Sequence, residues 1–146
     1  MLINRRTIRI EWGDCDPAGI VYFPRYFEYF DSSTRALFER AGFTKPELLK
    51  RYKIIGIPVV DMKARFMMPS RFGEDAVIES AVTKWGTSSF VVQHRLMKGE
   101  DLAVECLETR VWAAQSNTDH EKIESRPIPS EVKEKFAAVA ASEAGG

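Results

Sequence analysis

Between Trp12 and Phe30 the chain reads WGDCDPAGIVYFPRYFEYF. Two carboxylates, Asp14 and Asp16, flank one thiol, Cys15, and a run rich in aromatics follows. A carboxylate serves hydrolysis as a nucleophile or as a general base for water. A thiol serves as a nucleophile when a base takes its proton. An Asp-x-Asp pair also opens calcium loops, but Ala18 stands at the third ligand position and Arg25 where a bidentate Glu belongs. The thiol reading is weak, because nothing local favours the thiolate of Cys15 and the neighbouring carboxylates of Asp14 and Asp16 would oppose it. Its possible bases are His94, which shares a strand face with Phe90, Val92 and Leu96 and reads as a satisfied core or interface residue, and His120, in a polar loop. No GK[ST] follows Gly13 or Gly19, so this is not a P-loop, and no GxSxG is present. Two readings of Asp14-Cys15-Asp16-Pro17 stay open. One is a turn, since Asp before Pro starts turns and Gly19 gives a permissive backbone. The other is a hydrolytic site, in which the start of the following helix offers amide donors and partial positive charge to a developing oxyanion. Aromatics near that start, including Tyr22 and Tyr26, would then wall an apolar acyl pocket.

The elements around the motif are legible from periodicity. Thr7 to Trp12 alternates polar and apolar, as a strand does. Gly13 to Gly19 reads as a loop. Pro24 suits the first position of a helix, and Phe23, Tyr26, Phe27, Phe30, Thr34, Leu37, Phe38 and Ala41 then fall in one stripe. Gly42 is placed to end that helix, which would span roughly 27 Å. A short helix is expected around Pro46 to Tyr52. Val60, Met62, Ala64, Phe66 and Met68 alternate with charged residues, as in a half-buried strand. Three further strands are expected at Ala76–Trp85, Ser89–Met97 and Leu102–Ala114, joined by short turns that favour antiparallel neighbours. Ser130 opens a last helix with Val132, Phe136 and Val139 at helical spacing. The order predicts an α+β fold in which an antiparallel meander wraps one long helix.

The 146 residues suit a single domain spanning 1–146, with residues 142–146 as a disordered tail. Basic and acidic residues balance at 21 each, which gives no footing for nucleic acid or an anionic membrane. The N-terminus lacks the apolar core of a signal peptide, and no segment approaches a membrane span. The expected location is therefore cytoplasmic, where Cys15 and Cys106 would be free thiols.

GDCDPAGIVYFPRYFEYFD resembles the N-terminal motif of the 4-hydroxybenzoyl-CoA thioesterase branch of the hotdog-fold family. The likeness extends from about Ile8 to the C-terminal helix and includes Gly56-Ile57-Pro58-Val59-Val60 and Trp85-Gly86-Thr87-Ser88-Ser89-Phe90. It implies a curved antiparallel sheet around a long helix, and hydrolysis of an acyl-CoA thioester. It assigns Asp16 as the catalytic carboxylate and the backbone N–H of Phe23 as the group that polarises the thioester carbonyl. Tyr22, Tyr26, Ile57 and Pro58 are implied to surround the acyl group, and Thr87, Ser88 and Ser89 to meet CoA. Asp14 is left a structural part, capping the turn. No metal or organic cofactor is implied, and the expected assembly is a homodimer or homotetramer with sites between subunits.

The chain departs from that pattern in places. The hydroxybenzoyl enzymes carry a strongly basic turn after the Trp, where this chain has Gly86-Thr87-Ser88, as in related short-chain acyl-CoA thioesterases. Many of those carry a His just after the aromatics, where this chain has Phe23. Ile57 stands where the hydroxybenzoyl enzymes have a polar residue. The acyl group stays open, and two other readings stand beside the first: an acyl-carrier-protein thioesterase, and a non-catalytic acyl-thioester binder. Asp31 has two readings as well. On a helical wheel with Phe23 at 0° it falls at about 80°, at the border of the apolar stripe. It is either a rim residue paired with Arg35 at i+4, or a group facing the acyl pocket, and the resemblance supports the second.

Overall fold

The long helix forms where Pro24 and Gly42 bracket it. In the computed structural model, which describes residues 1–144, α1 runs Pro24–Arg40. Pro24 occupies its first position, where no intrahelical N–H is needed. At the other end Gly42 adopts φ +101. Its N–H bonds the Glu39 carbonyl at 2.9 Å, and the Phe43 N–H bonds the Phe38 carbonyl at 2.9 Å. This paired closure satisfies carbonyls that the helix end would leave orphaned. Tyr26, Phe30, Ser33, Thr34, Leu37 and Phe38 are its buried residues. Phe23, expected in the stripe, is 59% exposed. It is the residue before the first helical turn, outside the stretch of α1 that the sheet covers.

Five strands form one antiparallel sheet: β1 (Ile3–Arg9), β2 (Val59–Phe66), β3 (Asp75–Trp85), β4 (Ser89–Lys98) and β5 (Asp101–Val111). Their spatial order is β1-β3-β4-β5-β2. A short helix, α2 (Lys45–Tyr52), connects α1 to β2. The sheet therefore receives one strand before the long helix and four after it, as the sequence order predicts. Three differences are informative. The first strand ends at Arg9, paired with Asp75. Ile10 continues the buried alternation, while Trp12 opens a short 3-10 turn and is exposed. The last long strand breaks at Trp112, whose N–H bonds the Ser88 carbonyl while the next N–H bonds Gly56. The chain changes partners there and makes a small hairpin, β6 (Ala113–Gln115) with β7 (Ile123–Ser125). Finally, β2 is an edge strand rather than a half-buried one. Met62 and Ala64 are partly covered, but Val60 is 60% and Phe66 49% exposed. Among the described residues only β5 pairs with it, so its other edge carries unpaired backbone groups.

The last helix, α3 (Ser130–Ala144), buries Val132 and Phe136. It continues through residues 142–144, which the sequence reading placed in a disordered tail; residues 145 and 146 lie outside the described residues. Among the described residues no helix is long and apolar enough to cross a membrane, and Cys15 and Cys106 are free.

The core under α1 is two apolar clusters separated by a polar layer. Tyr26, Phe30, Ile78, Leu96 and Cys106 belong to one cluster. Leu37, Phe38, Val82, Val92 and Trp112 belong to the other. Between them α1 and the three central strands contribute polar residues: Thr34 from α1, Ser80 from β3, His94 from β4, Glu108 and Arg110 from β5, all buried. Fully burying one large apolar side chain such as Phe30 contributes about 1.5–3 kcal/mol, so the clusters supply the adhesion and the layer must justify itself by hydrogen bonding.

Gly42→Ala should lower stability by about 1 kcal/mol or more, because alanine is strained at positive φ and its Cβ would lie 3.2 Å from Lys135 Cε. Urea unfolding measures this; an unchanged midpoint would mean the closure of α1 is not held at this residue.

Candidate active site

The loop before α1 is a tight reversal. Cys15 and Val21 form an antiparallel bridge. The Asp16 N–H bonds the Ile20 carbonyl at 2.9 Å, and the Gly19 N–H returns to the Asp16 carbonyl at 2.9 Å. Gly19 sits at φ +79, a conformation that favours glycine. The Asp16 side chain takes part in the turn, since Oδ1 accepts the Ala18 N–H at 2.8 Å. Among the described residues Oδ2 accepts nothing. The turn and site readings of the motif are thus compatible: one carboxylate oxygen fixes the loop and the other is free for chemistry.

The chain then enters α1 with a particular set of donors. The Tyr22 N–H goes to the Asp14 carbonyl, the Arg25 N–H to Tyr22 and the Tyr26 N–H to Phe23. Pro24 has no N–H. The Phe23 N–H makes no hydrogen bond among the described residues, and no side chain caps the helix. One backbone donor is therefore left open where the helix dipole is positive. Asp14 has other duties. Its Oδ2 accepts the Tyr29 hydroxyl at 2.8 Å and the Glu11 N–H at 3.4 Å. Burial, then that hydrogen bond, push the Tyr29 phenol up, so it stays protonated and donates. This ties the loop to the first turns of α1.

Cys15 is half-buried, with its thiol 3.6 Å from the Glu11 carbonyl. Neither histidine is placed to activate it. His94 is fully buried between Ser80 and Thr34, and His120 is bonded by Gln115. Among the described residues no cluster of His, Cys, Asp or Glu could hold a metal ion.

A second feature lies further along α1. A cavity of about 340 Å³ opens between α1, α2 and the segment before β2, with Asp31, Phe38, Ile57, Pro58 and Arg110 among its lining residues. Asp31, Ile57 and Pro58 therefore converge. Asp16, Tyr22, Phe23 and Tyr26 do not line this cavity; they gather at the α1 start, where Tyr26 is buried and Tyr22 and Phe23 are exposed. Phe66, at the far end of β2, packs on Tyr26 and Phe27 with ring centroids 5.5 and 6.5 Å apart. Val59, at the near end, lines the cavity. Within one chain, β2 separates the two halves of the predicted site. The turn with Thr87, Ser88 and Ser89 belongs to the cavity end of the sheet, since Ser89 pairs with Val111 and Val59 with Arg110. Its carbonyls are tied down by Ile128 and Trp112. Lys133 from α3 donates to the Gly86 carbonyl at 2.9 Å, so one cation stands at this turn after all.

The partner of Asp31 is Arg110, not Arg35. Arg110 Nη2 donates to Asp31 Oδ1 at 3.0 Å, while Arg35 reaches towards Ser32 at 3.5 Å. Arg110 also donates through Nε to Glu108 Oε2 at 2.8 Å and through Nη1 to the Ile57 carbonyl at 3.0 Å. Behind it, the Thr34 hydroxyl donates to Glu108 Oε2 at 3.0 Å. His94 Nε2 lies 3.2 Å from Glu108 Oε1, a close approach without hydrogen-bond alignment, which leaves Oε1 unbonded among the described residues. His94 Nδ1 meets Ser80 Oγ at 2.7 Å, and its ring stacks on Phe30 at 5.0 Å. Burial alone would raise the Glu108 carboxyl; His94, then Arg110, outweigh it and hold it at about 2, against an ordinary 4.5. Sequence reasoning passed over Glu108 and Arg110. The signal was there: both share a strand face with Val104 and Cys106, and opposite charges two apart on a core face pair with something.

The chain is similar to known proteins over most of its length. Residues 10–136 match the Thioesterase-like superfamily. The chain is 34% identical over 130 residues to 4-hydroxybenzoyl-CoA thioesterase of Pseudomonas sp. (strain CBS-3), covering 84% of this chain and 89% of that one. A crystal structure of a mutant 4-hydroxybenzoyl-CoA thioesterase complexed with 4-hydroxybenzoyl-CoA aligns with TM-score 0.85 at 28% identity, over 92% of this chain and 98% of that one. A gentisyl-coenzyme A thioesterase aligns with TM-score 0.79 at 30% identity, over 89% and 99%.

The depressed carboxyl of Glu108 has a pH consequence. A folded value of about 2 against about 4.5 when unfolded stabilises the protein above pH 4.5, and that contribution is lost as pH falls towards 2. Glu108→Gln should therefore melt at a lower temperature at pH 7, and its deficit relative to wild type should shrink steadily from pH 4.5 downwards. A deficit that stays constant with pH would mean that Glu108 is not ionised in the fold.

Proposed function

Because the chain belongs to the thioesterase-like superfamily and carries its hotdog fold, it is an acyl-CoA thioesterase, and we propose that it hydrolyses the CoA ester of a hydroxylated aromatic acid with Asp16 as its catalytic carboxylate. The observation that carries this reading is the pairing of a free Asp16 oxygen with the unpaired Phe23 N–H at the start of α1. The N–H donates a hydrogen bond to the thioester carbonyl oxygen and stabilises the charge that develops there. The carboxylate acts on the carbonyl carbon, directly or through a water whose proton it takes. In either case the C–S bond breaks and CoA leaves as the thiolate; in the direct route this forms an acyl anhydride with Asp16, which water then cleaves to the free acid and the restored carboxylate. Relatives named for 4-hydroxybenzoyl-CoA, gentisyl-coenzyme A and 1,4-dihydroxy-2-naphthoyl-CoA support coenzyme A over a carrier protein, and a ring hydroxyl on the acyl group. Ile57, Pro58 and Asp31 form the acyl pocket in this reading; Tyr22 and Tyr26 border the reacting end, and the Thr87-Ser88-Ser89 turn meets CoA.

The complete site requires a second copy. The start of α1, which Asp16 precedes, packs through Tyr26 on Phe66 at one end of β2, and the cavity lies at the Val59 end of that eight-residue strand. If the free edge of β2 pairs antiparallel with its copy, the Phe66 end of one chain meets the Val59 end of the other. That brings each Asp16 towards the partner's cavity. The exposed apolar residues Val60, Phe66, Met67 and Phe72 support burial of this region in a homodimer.

Asp16→Asn should keep the fold and lose roughly 10²–10⁴ in kcat on the best aryl-CoA ester, whereas Cys15→Ser should retain most activity. Wild-type turnover by the Asn variant would remove Asp16 from the mechanism. Val60→Glu combined with Phe66→Glu should give a folded monomer by light scattering with its activity largely lost. An active monomer would show that each chain holds a whole site.

A further inference from the structure

Arg110 occupies an unusual place for a guanidinium. Its side chain is 5% exposed, yet its partner Asp31 is 67% exposed. It reaches outward from the polar core layer to the cavity and touches both of its walls. One nitrogen holds Asp31 Oδ1 on α1, and another holds the carbonyl of Ile57 on the segment opposite. The third holds Glu108 Oε2, which Thr34 also bonds. Arginine suits this task because its planar fork carries several donors in fixed directions. The result at the cavity surface is asymmetric. Asp31 Oδ1 is committed to Arg110, and among the described residues Oδ2 accepts nothing. A carboxylate with one oxygen bonded to a guanidinium offers the other as a hydrogen-bond acceptor. It therefore selects a ligand group with a proton to give.

We propose that Arg110 is a positioning residue that sets the acyl specificity of this enzyme: it holds Asp31 through Oδ1, leaving Oδ2 free at the cavity, and fixes the distance between α1 and the Ile57 segment, so that the site selects acyl groups bearing a hydroxyl donor. This rests on the reading of the cavity as the acyl pocket. It assigns no bond-making role to Arg110. Arg35 from α1 and Lys45 from α2 also line the cavity, but neither bonds Asp31, so the orientation of its carboxylate depends on Arg110.

The test compares 4-hydroxybenzoyl-CoA with benzoyl-CoA in wild type, Asp31→Asn and Arg110→Lys, with melting curves for each. Lysine keeps a positive charge beside Glu108 but has one nitrogen and cannot hold three divergent acceptors. Wild type should prefer the hydroxylated ester, since a polar group built to meet a hydroxyl is left unpaired by the analogue lacking it. Both variants should cut that preference by roughly tenfold or more, chiefly through KM for the hydroxylated ester. Should Arg110→Lys fail to fold, the double variant Arg110→Met with Glu108→Gln removes the buried charges together and is read in the same way. If Asp31→Asn loses the preference while a folded Arg110 variant keeps it, Asp31 is recognised without Arg110 and the positioning role is overturned. If wild type shows no preference, or Asp31→Asn leaves it intact, the reading of Asp31 fails and the inference with it.

Discussion

The arrangement of this molecule depends on how α1 is seated on the sheet, and one hydroxyl decides much of that seating. The Thr34 hydroxyl meets both Glu108 and His94, which come from two adjacent central strands. Apolar surfaces slide and rotate over one another at modest cost, because hydrophobic burial is non-directional. A hydrogen bond to a buried carboxylate is directional, and losing it strands a charge. The polar layer thus locks the helix in rotation and along its axis. Phe30 and Leu37, one turn to either side of Thr34, then fall into separate apolar clusters. Everything functional on α1 inherits its place from this lock: the Phe23 N–H at the start, and Asp31 one turn before Thr34.

Such a layer is expensive in desolvation, and buried ion pairs are weak evidence for stability as such. Its value here lies in where the charges lead. Ser80, His94, Glu108, Arg110 and Asp31 form a continuous chain from the middle of the sheet to the cavity. A surface acid such as Asp31 would ordinarily sample several rotamers. Anchored through Arg110 to the rigid centre of the sheet, it presents one oxygen in a fixed direction. Preorganisation of that kind is what separates a binding group from a merely nearby one.

The other half of the chemistry is anchored differently. Asp16 is held by a local reversal, through Ile20, Gly19 and Ala18, and Asp14 joins that reversal to α1 through Tyr29. Local hydrogen bonds suffice because only a few residues separate the partners. The two halves stand at opposite ends of an edge strand whose outer backbone groups are unpaired. The fold so positions each half well and places them apart, which is the geometry a two-fold assembly resolves.

What the sequence determined by itself was what short-range physics governs. Pro24 and Gly42 mark the ends of α1 to within a residue of their observed roles, because proline and glycine have steric requirements independent of context. The succession of strands along the chain was legible from alternation and short turns, and the Asp16 loop from Asp-Pro and Gly19. The family motif around Asp16 was legible for the same reason: its residues act on neighbours within a few positions. Tertiary structure alone decided the rest. Alternation gave β2 a half-buried face, but only the order of strands made it an edge. Asp31 lies four residues from Arg35, yet its partner is Arg110, seventy-nine positions away. No periodicity encodes that pairing. It follows from the register of β5 against β2 and from the seating of α1 by Thr34, each a long-range choice that the whole core makes at once.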